Sequence, residues 1–428
     1  MLNKIFKNDK YIPADVLCIG VDIAKKFHYA QLTAGGGKYL TRKALKFSND
    51  LCGFSRFSGW LNELKTESGY SDVCVGMEPT GPYWRCFFDY LERNGIRVVL
   101  VSPLLVKKMK DVYDNSRCKT DSKDAQVIAR MVSEGKYLSR ATLTDEQETL
   151  RHFVDSYNDL SVKKTACTNA IGSSLAEYFP ELENIFSSLE SATLIELLKN
   201  CPLPCDVLDM GEDELLKLVR NKSNNRLGKN TVVKLIESAR HSTGRQSGCD
   251  GYREKILCLA EELEGILTRL SRVSGKIKEC LDKMEIYHYL RTIPGVGYLT
   301  IANVISAAGD LGNYRNAQCL LKQLGLQLYE VSSGFHKGRS HISKRGLSFA
   351  RSCLYMASMV ACKSGGIYHE RSESMKLRGK AVPVIYVSIS CKLLRLMYAL
   401  VRDKREYIDD YNGSRAVRKV SEPWRKAA

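Results

Sequence analysis

Val16-Leu17-Cys18-Ile19-Gly20-Val21-Asp22-Ile23-Ala24 is an apolar run interrupted by one carboxylate near its end. It reads as a buried strand, and Lys25-Lys26 followed by His28-Tyr29-Ala30-Gln31-Leu32 reads as a turn into its neighbour. A carboxylate on a central strand is costly to bury unless it is paired or bound to a metal. Two comparable runs follow. Asp72-Val73-Cys74-Val75-Gly76-Met77 delivers Glu78 into Pro79-Thr80-Gly81-Pro82-Tyr83, and Ile96-Arg97-Val98-Val99-Leu100-Val101 follows a helical stretch at 84–94. Strands alternating with helices predict an α/β unit with a mixed or parallel sheet, where functional residues gather at strand ends.

Beyond the third run, Lys119-Thr120-Asp121-Ser122-Lys123-Asp124-Ala125 opens a helix, capped by Thr120 or Asp121 and continued by the apolar Ala125, Ile128 and Ala129. Asp121 and Asp124 are three residues apart, which places them on one helix face with roughly 5–6 Å between Cβ atoms. Two such carboxylates repel unless a cation lies between them. Lys119 and Lys123 supply one, which makes this an ordinary solvated helix start. The other reading is a metal site, and Asp22 and Glu78 at strand ends favour it, because acids from separate elements converge at a sheet edge. Mg²⁺ takes a few hard oxygen ligands and keeps positions open for water and phosphate. Two such ions about 3.5–4 Å apart clamp an in-line phosphoryl displacement.

A chain of 428 residues accommodates two or three domains. A hydrophobic content of 44% and a mean hydropathy of −0.25 suit a soluble globular protein. The net charge of +17, spread along the chain, points to a polyanionic partner, with nucleic acid ahead of a membrane surface. The 15 cysteines form no regular framework. Cys201 and Cys205 flank Pro-Leu-Pro without completing a zinc site, so the thiols read as small packed hydrophobes. The N-terminus carries no signal-peptide core and no run reaches about 18 apolar residues, which gives a cytoplasmic expectation.

From about residue 146 strand signals give way to helical periodicity, broken at Phe179-Pro180 and Cys201-Pro202-Leu203-Pro204. The stretch 221–250 is polar and is expected to include an exposed loop. Ile256, Leu259, Leu263, Ile266, Leu270, Val273, Ile277, Cys280 and Met284 then recur in threes and fours, the seam of a coiled coil or of an amphipathic helix packed on its own domain. Leu290-Arg291-Thr292-Ile293-Pro294-Gly295-Val296-Gly297-Tyr298 resembles a helix-hairpin-helix, whose glycines (Gly295 and Gly297) let backbone N–H groups meet a phosphate; a tight turn between helices is the ordinary alternative. The helix at 382–401 is expected to complete the last core, and the basic tail at 415–428 to be disordered or to meet phosphate. The expected organisation is 1–145, 146–285 and 286–428.

The late stretch Val331-Ser332-Ser333-Gly334-Phe335-His336-Lys337-Gly338-Arg339-Ser340-His341-Ile342-Ser343-Lys344-Arg345-Gly346 surrounds two serines with cationic donors. Taken plainly it is a nucleic-acid-binding loop in which Ser-Ser-Gly is common turn chemistry. A serine nucleophile is the sharper alternative.

Gly20-Val21-Asp22-Ile23-Ala24-Lys25, Glu78-Pro79-Thr80-Gly81, Pro103 and Lys119-Thr120-Asp121-Ser122-Lys123-Asp124-Ala125 together resemble the DEDD transposases of bridge-RNA-guided insertion sequences and their Piv-type invertase relatives. The late motifs Ser333-Gly334, Ile342-Ser343-Lys344-Arg345-Gly346 and Arg351 match the same family, with Leu328 where a proline is usual and Ala350 where a leucine is usual. The resemblance implies an RNase H-like domain of RuvC type, a central helical and coiled-coil region, and a mainly helical C-terminal transposase domain. It places the four metal ligands at Asp22, Glu78, Asp121 and Asp124, with two Mg²⁺ ions, and the nucleophile at Ser333, with Ser332 as its rival. Lys337, Arg339, Lys344, Arg345 and Arg351 become nucleic-acid contacts. The implied partners are donor and target DNA, a structured guide RNA and further copies of the chain in a dimer or tetramer. A guide-independent invertase, a metal-dependent junction nuclease and a nucleic-acid-binding protein with inactive acids are the alternatives.

Overall fold

A computed structural model describes residues 12–13, 15–34, 43–70, 72–113, 121–137, 143–330, 332–333, 336–337 and 340–409. The chain divides into two units, Met1–Thr142 and Leu143–Ala428.

In the first unit the elements run β1 (Val16–Asp22), β2 (Phe27–Ala34), β3 (Leu45–Ser48), α1 (Leu51–Ser68), β4 (Asp72–Met77), α2 (Arg85–Arg93), β5 (Arg97–Leu100), α3 (Pro103–Tyr113) and α4 (Asp121–Ser133). The sheet order is β3-β2-β1-β4-β5, antiparallel through the first three and parallel from β1 to β5. The alternating strand and helix signals thus yield a mixed sheet. The sequence expectation lacked β3 and α1, although Asp50 caps α1 by accepting from the Gly53 amide at 2.8 Å and Gly69 ends it in the left-handed region.

Side chains alternate across a strand, and here the two faces differ in size. Leu17, Ile19 and Val21 of β1, with Val73, Val75 and Met77 of β4, join Phe54, Phe57, Phe87 and Leu91 in the core beneath α1 and α2. The opposite face carries Cys18 and Gly20 on β1 and Cys74 and Gly76 on β4. Gly20 and Gly76 are register partners. A Cβ on Gly20 would run into the Ala125 carbonyl and the Ala129 amide of α4, and one on Gly76 into Val132. This flat floor lets α4 lie directly on the sheet, burying Ala125, Ile128, Ala129, Met131 and Val132. Burial pushes the Cys18 and Cys74 thiols up to about 12, as expected of thiols packed as small hydrophobes.

The second unit is built on two helices, α5 (Asp145–Tyr178) and α11 (Cys249–Asp282), each of 34 residues. They run antiparallel, since Leu150 and Val154 share a core with Ile277 and Leu281, while the Cys167 thiol meets the Leu259 carbonyl. Between them in sequence come α6 (Leu182–Ile185), α7 (Ala192–Asn200), α8 (Pro204–Met210), α9 (Glu212–Ser223) and α10 (Lys229–Arg240). These close a separate core around Ile171, Leu175, Leu197, Leu235, Ile256 and Leu263. Helix α10 falls inside the polar stretch 221–250, where buried Val232, Leu235 and Ala239 form a narrow apolar stripe. The seam of α11 is used within the chain: Ile256, Leu263, Ile266, Leu270 and Ile277 are buried in its own unit.

The remaining elements are α12 (Glu285–Leu290), α13 (Tyr298–Ala308), α14 (Ala317–Gln323), β6 (Leu328–Tyr329), β7 (Ser332–Ser333), β8 (His336–Lys337), β9 (His341–Ile342), α15 (Ser348–Ala361), α16 (His369–Leu377) and α17 (Val382–Arg402). Helix α17 is long and apolar enough to cross a membrane, but Ile385, Ile389, Leu393, Leu394 and Met397 are fully buried in the protein core. The expected basic tail at 415–428 lies outside the described residues.

Candidate functional site

In the first unit the site grows from the small-residue face of the sheet. Residues i and i+2 of a strand share a face, so Asp22 follows Gly20 on the side where α4 packs. The parallel register pairs Val21 with Met77, the residues that immediately precede Asp22 and Glu78. Asp22 and Glu78 are both half-buried. Helix α4 adds Asp124, next to the Ala125 that lies on Gly20. Asp121 is the first residue of α4, but its side chain lies outside the described residues, as do Lys119 and Thr120.

The electrostatics join these elements. Burial holds the Glu78 carboxyl above the usual range; the Lys110 ammonium and a 3.4 Å hydrogen bond from the Thr80 hydroxyl oppose that, and the Asp124 charge adds to it. Lys110, in the last turn of α3, lies 2.6 Å from Asp124. The ammonium therefore stands where negative charge accumulates. Lys110 had no signature in the sequence, because its partner is on another helix and the spacing fits no local motif.

Among the described residues no three His, Cys, Asp or Glu side chains stand close enough to hold an ion. The donor set nevertheless suits a hard divalent cation: carboxylate oxygens from β1, the end of β4 and α4, one of them already drawing a positive charge.

In the second unit the serines lie on a two-stranded ribbon between α14 and α15. Leu328 pairs with Ile342 and Tyr329 with His341; further out, Ser332 pairs with Lys337 and Ser333 with His336. Ser333 is thus in the outermost described pair. The side chains of Ser332, Ser333 and Lys337 are outside the described residues, and so is the whole of Arg339. Lys344 and Arg345 are exposed just after the returning strand, Lys344 with a φ of 53°. Arg351 faces inward. Its Nη1 donates to the carbonyls of Leu324, Gly346 and Leu347 at 3.2, 3.0 and 3.3 Å.

The Pro-Gly turn joins α12 to α13. Gly295 has a φ of 78° and faces Val360, while a side chain on Gly297 would meet open space. Tyr298 opens α13, and its hydroxyl lies 2.6 Å from that of Ser274 on α11.

Two family models match the chain in succession. Both are described as transposases: one covers residues 19–180, and the other, described as the IS116/IS110/IS902 family, covers 287–372. The first span contains all four acids and the second both serines. The 43.6 kDa protein of insertion element IS110 from Streptomyces coelicolor is 22% identical over 91% of this chain and 95% of its own length. The 44.8 kDa protein of insertion element IS116 from Streptomyces clavuligerus is 25% identical over 91% and 96%. A pilin gene-inverting protein of Moraxella bovis is 32% identical over 33% of this chain and 45% of its own. A mixed-sheet unit followed by a helical one, matched in order by these two models, defines a DNA transposase, an enzyme of the recombinase class. Over those spans, and along most of its length in the two insertion-element proteins, the chain is similar to the IS110/IS116/IS902 transposases.

Proposed function

We propose that the chain is an RNA-guided recombinase of an insertion sequence, which cuts and rejoins donor and target DNA through a covalent phosphoserine intermediate. The first unit is then a RuvC-type, RNase H-like domain, a reading supported by the sheet order, with β3-β2-β1 antiparallel and β1-β4-β5 parallel. Asp22, Glu78, Asp121 and Asp124 hold Mg²⁺, two ions per site. The observation that carries this is the shared face: Asp22 and the Glu78 position follow Gly20 and Gly76 onto the side where α4 brings Asp124.

Bound there, divalent ions would neutralise charge on a phosphodiester and ease its displacement. The chain's own contribution is to hold the acids at fixed strand ends and to present the serine. The hydroxyl of Ser333, with Ser332 as the alternative, attacks phosphorus. A serine O–P bond forms as the strand's P–O bond breaks, the serine proton is released, and the leaving sugar oxygen takes one up. One phosphodiester is exchanged for another, so the bond energy is kept for rejoining and no ATP is needed. Lys337, Arg339, Lys344 and Arg345, with the Gly295-Val296-Gly297 turn, contact nucleic-acid backbone, consistent with the +17 net charge. A dimer or tetramer brings donor and target together.

The guide is tested by sequencing RNA that copurifies with the protein. One structured RNA encoded beside the gene supports guidance. Random host fragments would favour guide-independent inversion, the reading that the pilin gene-inverting relative supports. The nucleophile is tested by Ser333→Ala and Ser332→Ala. Loss of the trapped protein–DNA adduct in one of them names the residue, and an adduct surviving in both defeats the serine.

A further inference from the structure

We propose that Arg351 is a positioning residue: it clasps together the two roots of the serine-bearing ribbon and thereby sets where the ribbon's tip stands on the C-terminal unit. The ribbon leaves α14 at Leu324 and returns to α15 through Gly346 and Leu347. Arg351, in the first turn of α15, reaches both roots with one nitrogen, donating to Leu324 on the outgoing side and to Gly346 and Leu347 on the returning side.

The roots are also in direct backbone contact. The Lys344 amide donates to the Gly325 carbonyl and the Ser343 amide to that of Gln327, both at 2.9 Å. Gly325, with a φ of 71°, would drive a side chain into the Arg345 backbone, and Gly346, with a φ of 108°, into the Gln323 carbonyl. Both positions therefore demand glycine for conformation and for close approach. Arg351 is half-buried, and among the described residues it makes no ion pair, so backbone carbonyls are its partners.

A ribbon this small does not hold its shape alone. An isolated two-stranded hairpin is marginal in water, and β6 to β9 contribute two residues each. Leu328 and Tyr329 are exposed, at 61% and 49%, so little packing anchors the strands themselves. The placement of these short strands must come from their base. Misplacing a reacting group by about 1 Å costs on the order of 10²-fold in rate, which makes the base a determinant of catalysis at a distance.

The inference rests on the serine reading of the preceding section, and the test separates the two. The full-length protein carries Arg351→Ala, Arg351→Lys, Ser332→Ala or Ser333→Ala. Amide exchange is followed at Ser343 and Lys344, DNA affinity by anisotropy, and covalent adduct by denaturing gel. Arg351→Ala is expected to speed exchange at both amides about tenfold and to slow adduct formation about 10²-fold, with DNA affinity changed less than about twofold. Arg351→Lys, which keeps a donor within reach, recovers part of both losses. It also serves as the informative variant if the alanine protein does not fold. Unchanged exchange overturns the clasp, as does a loss of DNA affinity that matches the loss of adduct, since Arg351 would then be a phosphate contact. If adduct persists in both serine variants the serine reading fails instead, and the exchange data alone decide whether the clasp exists.

Discussion

A side chain on Gly20 would collide with the carbonyl oxygen of Ala125, so strand β1 and helix α4 meet backbone to backbone. That contact brings the first turn of α4 down to the strand ends carrying Asp22 and Glu78. Gly20→Ala should therefore destabilise the first unit by at least about 1–3 kcal/mol, because backbone on both sides must shift. Gly59→Ala is the control: Gly59 sits inside α1 with nothing near its absent side chain, and alanine there should be neutral or stabilising by about 0.5–1 kcal/mol. Urea denaturation of both variants checks the contrast. Equal stabilities would mean that α4 does not lie on the glycine floor.

Glu78 should show function and stability pulling apart. Burial and the Asp124 charge hold its carboxyl above the usual range, so the native state holds this proton more tightly than the unfolded chain does. Its ionisation then weakens folding as pH rises from the unfolded value through the folded one, and the penalty is complete above the folded value. Glu78→Gln removes the charge at nearly constant shape. The variant should melt at the parent's temperature or higher at pH 8, with strand cleavage down about 10²–10³-fold. Normal cleavage would remove Glu78 from the site, and a melting point several degrees lower would show that its charge supports the fold.

The strands bearing Asp22 and Glu78 were legible because their apolar runs are long and end on carboxylates. The face those acids occupy was harder to read. Leu17, Ile19 and Val21 alternate with Cys18 and Gly20, and a run apolar on both faces shows no hydrophobic alternation. The informative contrast was size: Cys18, Gly20, Cys74 and Gly76 are small wherever α4 lies close. The seam of α11 was equally visible, but periodicity does not say which chain the partner belongs to. Its partner is α5, whose buried face includes the polar Gln147, Asn158 and Ser174, so its apolar periodicity is broken. The ion pair of Lys110 with Asp124, and the carbonyls gathered by Arg351, depend on how elements pack and leave no local motif.

His28 predicts the acid response of the first unit. It is fully buried among Phe47, Phe54 and Phe87; its Nδ1 accepts from the Ala24 amide at 3.3 Å, and among the described residues its Nε2 has no hydrogen-bond partner. Burial holds the ring below the ordinary histidine range, against a smaller opposite pull from Asn49. The unfolded chain then binds a proton near pH 6.5 that the native state refuses. Stability is full above that pH and declines as pH falls through 6.5 toward the lower native value. Melting temperatures between pH 8 and 5 should fall in the parent and change less in His28→Gln. Parallel curves for the two proteins would assign the acid response to other groups.

The buried amide pair between α5 and α13 should behave as one unit. Asn158 Nδ2 donates to Asn303 Oδ1 at 3.0 Å, and Asn303 Nδ2 donates to the Leu299 carbonyl one turn earlier at 3.0 Å. Both residues are buried, at 8% and 3% exposure, so neither can turn to water when its partner is lost. Asn158→Leu leaves the Asn303 oxygen unpaired and should cost about 1–3 kcal/mol. Asn303→Leu strands the Asn158 amide in the same way and also removes the side-chain bond to the Leu299 carbonyl. Changing both removes the unpaired groups together, so the double variant should be less destabilised than the sum of the singles by about 0.5–3 kcal/mol. The pair also fixes where the start of α13, just after the Gly295-Val296-Gly297 turn, sits along the length of α5. A single polar contact in an apolar interface sets register more sharply than leucine does. The apolar double variant should therefore remain folded while amide exchange in α13 becomes faster. Additive losses in the cycle would show that the two amides do not depend on each other.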